Sequence, residues 1–373
     1  MATSNEADLD PGRDRALSRL VRDVAALPEG EDPWCAGVVV AAGTGSDPEP
    51  LVRAASGWAV RHAAHDRELP RERWEPVRTD TVFDLASLTK LFTTVLAVRA
   101  VERGRIELDA PVAAYAPRFT AAAEHGITVR QLLTHTSGLV PELPLYECGS
   151  DEERRARLAA EPPATPPGTA RRYSDLNFLL LQAVLEGAAD EPLDRLVHDT
   201  VTAPLGMTST RFRPPASWLP RIAATEDQRR PWGKLDRGMV RGTVHDENAY
   251  ALGGVAGHAG LFATADDLAA LCRALLRGGG PLLSPASVEL MLTAPGLGFE
   301  IDQPWFMGEL AGRGAAGHTG FTGTSLVLDR ATDSYLILLA NTVHPRRRPA
   351  DSRPRAAAAT ALARAVRGGG PVA

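Results

Sequence analysis

Strand-like segments lie at both ends of this chain and enclose a long stretch with helical periodicity. Near the N-terminus, residues 36–42 (AGVVVAA) and 51–60 (LVRAASGWAV) are separated by a Gly/Pro-rich turn, which predicts a hairpin. Near the C-terminus, residues 324–329 and 334–340 read as paired strands. Between them, Leu88, Leu91, Phe92, Val95, Val98 and Val101 form one apolar stripe that Gly104 ends. Residues 131–133 and 176–188 are further helical pieces, with Pro-rich loops at 162–167 and 214–220. Helices are also predicted over 13–27 (Leu17, Leu20, Val21, Val24), over 265–276 behind an N-cap at Thr264, and over 356–366. Residues 61–81 read as a charged loop. This order suits one α/β lobe built from both chain ends, residues 1–80 and 255–373, with a mainly helical lobe, 81–254, inserted between them. Chain ends returning to one sheet would leave a cleft at the lobe junction.

The bulk properties fit a soluble globular protein. The 373 residues suffice for a sizeable core, and 44% apolar with 23% charged residues is ordinary. The formal net charge of −5 gives no reason to expect nucleic-acid binding, and the Pro-interrupted basic run at 346–348 reads as a solvated loop. No apolar run approaches the ~18 residues of a membrane span. The acidic start MATSNEADLDPGRDR lacks the pattern of a secretion signal, so a cytoplasmic protein is expected. Cys35, Cys148 and Cys272 are odd in number and far apart, which predicts free thiols rather than a metal site.

The stretch FDLASLTK (83–90) carries the chemistry. Of 41 basic residues only Lys90 and Lys234 are lysine, and Lys90 stands three residues after Ser87. On a helix those positions share a face. A serine hydroxyl is a poor nucleophile until a base takes its proton. A buried lysine can lose its charge and act as that base, whereas arginine effectively cannot. If Ser87 opens the helix, its N–H is free to face a developing anion. Three competing motifs are absent: there is no GxSxG elbow, no HExxH and no GxxxxGK. His245, Asp246 and Glu247 are adjacent on one stretch and do not suggest a metal. His135 and His258 default to structural roles.

Further stretches follow in a telling order. Tyr173-Ser174-Asp175 resembles the Tyr-x-Asn element of class C β-lactamases, and His318-Thr319-Gly320 resembles their Lys-Thr-Gly element. LLTHTSGL (132–139), PLGM (204–207) and the glycine-rich 244–262 also look like stretches of that family. From about Trp34 to Asn341 the chain resembles a β-lactamase-related serine hydrolase, a group that includes D-alanyl-D-alanine peptidases, esterases and acyltransferases. The resemblance implies a β-lactamase/transpeptidase-like α/β fold: an antiparallel sheet flanked by helices, an inserted helical lobe, and the active site at the junction. It implies Ser87 as the acylated nucleophile, Lys90 as holder or relay of its proton, and Tyr173 sharing the base role and protonating the leaving group. The Ser87 and Phe321 amides would form the oxyanion hole, with Thr319 and Gly320 flanking the substrate.

Two positions depart from the β-lactamase pattern. Asp175 stands where asparagine would donate to a substrate amide, and His318 stands where lysine would supply a fixed charge. Both weaken recognition of a carboxylate-bearing substrate. The expected activity is acyl-enzyme hydrolysis of a small-molecule ester or amide, with no metal or other cofactor. The alternatives are transacylation to an amine or alcohol, a D-alanyl-D-alanine carboxypeptidase-like activity, or a non-catalytic binding protein.

Overall fold

The computed structural model describes residues 11–367. Its main sheet has seven strands in the order Glu75–Pro76, Val52–Val60, Gly37–Thr44, Ser334–Ala340, Ser325–Asp329, Ala316–Thr319 and Glu300–Ile301. All neighbours are antiparallel. The two chain ends meet where Gly37–Thr44 pairs with Ser334–Ala340, from Val38 opposite Ala340 to Thr44 opposite Ser334.

This central pairing explains why 36–42 shows no polar alternation. Val38, Val40 and Ala42 pack on one face against Leu20 and Val24 of the helix Pro11–Ala25 and against Ala359 and Leu362 of the helix Arg353–Arg367. Val39 and Ala41 face the other way, into the large core that holds Leu91 and Val95 and, from the helix Ala265–Leu276, Leu268 and Leu271. A strand buried on both faces reads as a continuous apolar run. Each fully buried Leu or Val contributes about 1.5–3 kcal/mol relative to exposure. Cys35, Cys148 and Cys272 are free and buried.

The helix Thr89–Glu102 departs from its predicted single stripe: every residue from Thr89 to Val98 is buried. The helices Asp175–Ala189, Leu193–Val197 and Pro285–Leu292 pack around it, so these ten residues keep no face for water. Beside it packs the helix Asp175–Ala189, whose first residue comes to lie against the first turn of its neighbour. Residues 61–81 also differ from the expected loop. His62–Ala64 pairs with Arg67–Glu68, and Glu75–Pro76 adds an edge strand at Trp58. Arg71 lies over both Trp58 and Trp74, whose rings meet at 5.1 Å. That packing, with no periodic signal, holds the edge, and proline is tolerated there because an edge strand needs no further donor.

A second sheet of three short strands, ordered Phe83–Asp84, Leu261–Ala263, Arg211–Phe212, anchors the segment ahead of Ser87. Leu85 N–H continues it by donating to Leu261 O at 2.9 Å. Among the described residues no helix is long and apolar enough to cross a membrane. The reading of the acidic N-terminal residues 1–10 lies outside the described residues.

Candidate active site

Ser87 occupies one 3-10 turn, Ala86–Leu88, that leads into the helix Thr89–Glu102. Ala86 has φ +46°, in the left-handed region that costs a residue with a Cβ about 1–2 kcal/mol. The surroundings hold it there. Asp84 Oδ1 accepts from Ala86 N–H at 2.9 Å, and its Oδ2 accepts from His245 N–H at 2.6 Å. Thr322 Oγ1 donates to Asp84 O at 2.8 Å, and Thr324 Oγ1 donates to Leu85 O at 3.0 Å. Burial pushes the Asp84 carboxyl above its usual range, against the pull of its two amide donors.

The last two hydrogen bonds reach from the loop after the strand Ala316–Thr319, so that strand end abuts the serine turn. Gly320 makes the approach possible: a Cβ there would meet Thr324 Oγ1 at 2.0 Å and Leu85 O at 2.5 Å. Thr319 and Gly320 thus stand beside the turn. Phe321 follows, 57% exposed, with its ring near that of His245 (5.6 Å) and the guanidinium of Arg347 (5.5 Å).

Ser87 Oγ lies 2.9 Å from Lys90 Nζ and 2.8 Å from the Tyr173 hydroxyl. Lys90 is fully buried, and its Nζ also donates to Asp175 Oδ1 at 2.7 Å and His258 O at 3.2 Å. Three acceptors match the three N–H groups of an ammonium. Burial alone would lower the Lys90 pKa, but the Asp175 carboxylate and Tyr173 outweigh it and raise it above its ordinary value. The neutral amine expected from burial is therefore not the resting form. Asp175 is the reason: it meets Lys90 with Oδ1 instead of facing substrate alone, and it is the first residue of its helix, behind the N-cap Ser174.

Tyr173 keeps 36% of its surface exposed, while its hydroxyl end is enclosed by Ser87 and Lys90. Burial raises the phenol pKa above 10, and the Lys90 charge opposes this only in part. His318 is buried, its ring 5.9 Å from that of Tyr173. A carbonyl only accepts, so the 2.7 Å contact to Thr319 O puts the His318 proton on Nδ1. Burial, reinforced by Lys90, lowers the His318 pKa to about 3. His318 is thus neutral near pH 7 and supplies no charge where lysine would stand.

Asp175, Asp246 and His258 form one group whose ligand atoms lie within 4.8 Å of one another. Each is already engaged: Asp175 with Lys90, and Asp246 Oδ1 with His258 Nε2 at 3.0 Å. The Lys90 ammonium supplies the cation that Asp175 faces. Beneath them, Gly257 has no room for a Cβ, which would meet Phe178 O at 2.2 Å.

This geometry has known counterparts. The family model described as Beta-lactamase matches residues 36–361. The chain belongs to the β-lactamase family. It is a serine hydrolase of that family. An Escherichia coli (strain K12) protein named "Putative D-alanyl-D-alanine carboxypeptidase" is 32% identical over 313 residues, covering 72% of this chain and 71% of the relative. Among solved structures, "EstCE1, a hydrolase with promiscuous acyltransferase activity" superposes with a TM-score of 0.71 at 24% identity, covering 94% of this chain and 99% of that one. A class C β-lactamase gives a TM-score of 0.73 at 20% identity, covering 96% and 99%. These two likenesses establish the β-lactamase/transpeptidase-like fold.

Sequence reasoning leaves His135 unassigned and passes over Asp84. The LLTHTSGL stretch carries a signal for the first. Nothing in the sequence sets Asp84 apart from other carboxylates.

Proposed function

We propose that the protein cleaves an ester or amide bond of a small molecule through a Ser87 acyl-enzyme, with Tyr173 as proton carrier and Lys90 as a fixed cation. The observation that carries this reading is the single cluster in which Ser87 Oγ meets both Lys90 Nζ and the Tyr173 hydroxyl.

In the resting site Lys90 is charged and Tyr173 is protonated, so no base stands ready. Ionised Tyr173, beside the ammonium, takes the Ser87 proton as Oγ bonds to the substrate carbonyl carbon. The Ser87 and Phe321 amides receive the developing oxyanion. The bond to the leaving oxygen or nitrogen then breaks as Tyr173 returns the proton to it. In the second half water attacks the acyl carbon and gives its proton to Tyr173, which passes it to Ser87 Oγ as the acyl C–O bond breaks and the acid departs.

Charge accounting narrows the substrate. The Lys90 cation is balanced by Asp175, His318 is neutral near pH 7, and Arg171 is engaged with Glu300. None of these three groups offers an unpaired cation to a substrate carboxylate. A neutral acyl compound fits better than a peptide ending in D-alanine, which is the substrate class in the names of the curated relatives.

Burst kinetics with a neutral activated aryl ester test the reading. The expected burst rises with pH between about 7 and 9, by up to tenfold per unit, as the phenol ionises. Ser87→Ala is expected to remove it by about 10³-fold or more. A carboxylate-bearing analogue should react more slowly, and added amines or alcohols will show how the acyl group partitions between water and other acceptors. An undiminished burst in Ser87→Ala contradicts the proposal.

A further inference from the structure

His135 is buried, and its backbone has φ +56°, a conformation few residues with a Cβ adopt. It does more than fill space. Its carbonyl accepts from Arg172 N–H at 2.8 Å, and its ring Nδ1 accepts from Ser174 N–H at 3.2 Å. The two amides flanking Tyr173 therefore both end on His135. The imidazole also packs on the phenol, centroid to centroid 4.8 Å.

The tautomer follows from the partners. Ser174 N–H can only donate. Asn177 Nδ2 approaches the same His135 nitrogen at 3.0 Å, and its Oδ1 faces Ser137 Oγ at 2.5 Å. Nδ1 must then be a lone pair, and His135 must be neutral. Burial, with Lys90 next in weight, keeps its pKa well below the ordinary histidine value. The same turn continues the grip: Val140 O accepts from Ser174 Oγ at 2.6 Å, and Pro141 O accepts from Asp175 N–H at 2.8 Å. The stretch 135–141 is thus a cradle for 172–177, with His135 at the tyrosine.

We propose that His135 is a positioning residue for Tyr173: it fixes the phenol against Ser87 through both neighbouring amides and through ring contact. The proposal rests on the reading of Tyr173 as proton carrier. Misplacing a reacting group by about 1 Å can cost on the order of 10² in rate, and losses of that size are expected for His135→Ala. His135→Asn keeps an acceptor at the δ position and tolerates positive φ. It should restore most of the rate.

A double-mutant cycle on the acylation rate tests the proposal. If His135 acts through the tyrosine hydroxyl, His135→Ala costs about 10²-fold in the parent protein and less than about threefold when Tyr173→Phe is already present. Equal losses in both backgrounds, or no recovery by His135→Asn, overturn it. Tyr173→Phe measured alone separates the two claims, since full activity in that variant would refute the proton-carrier role and not the placement. Should His135→Ala fail to fold, His135→Gln, which moves the acceptor off the δ position, takes its place in the cycle with the same expected outcomes.

Discussion

Lys90→Met is expected to abolish acylation and to lower stability by about 2–3 kcal/mol, and adding Asp175→Asn is expected to recover most of that stability but none of the activity. Methionine fills nearly the same volume, so packing is largely kept. What changes is charge. Asp175 loses the ammonium 2.7 Å away, and breaking a buried pair from one side costs roughly 3–5 kcal/mol. Asp175 keeps 24% side-chain exposure, so water relieves part of that penalty. The neutral amide of the double variant removes the stranded charge. Equilibrium unfolding in denaturant reads the stability, and burst amplitude reads the chemistry. If the double variant were no more stable than Lys90→Met, the ion pair would not be what keeps the lysine charged.

Acid should unfold this protein steeply. His135, His318 and His344 are buried and neutral, His318 and His344 with pKa lowered to about 3 from 6.5 and His135 well below that value; burial is the main cause in each. His344 shows why: its Nε2 accepts from Arg61 and His62 N–H, both at 3.1 Å, while Nδ1 donates to Thr225 O, so a second ring proton has no acceptor. A depressed histidine pKa means that the unfolded chain binds the proton and the native one does not. Their contribution is whole above about pH 6.5 and is lost as pH falls toward about 3. Near pH 5 His318 and His344 together contribute a slope of about 2.7 kcal/mol per pH unit, and His135 acts in the same direction. Asp84, whose pKa is raised, offsets a part. Against a typical total of about 5–15 kcal/mol, unfolding should occur before pH 4. Denaturant midpoints between pH 7.5 and 4.5 check this, and a flat profile from 7 to 5 would contradict the neutral-histidine assignment.

The strand and helix order was legible because burial writes itself into periodicity. AGVVVAA announced a strand, and the paired strands Ser325–Asp329 and Ser334–Ala340 stood where expected. Ser87, Lys90 and Tyr173 were legible through motif order, and the structure brings their side chains into mutual contact. Protonation states were not legible. Whether Lys90 is charged depends on Asp175, 85 positions away in the chain, and whether His318 is charged depends on burial that no local pattern records. His135 escaped for a related reason: its contacts run through the backbone amides of residues 172 and 174, almost forty positions along the chain, and no local pattern records them.

The account stands on Ser87 carrying the acyl group, and intact-protein mass spectrometry after brief exposure to an activated ester reads that directly. The prediction is one acyl adduct, located by digestion on the peptide that contains FDLASLTK and absent from Ser87→Ala. Turnover with the adduct on another residue, or an unchanged adduct in Ser87→Ala, would contradict it.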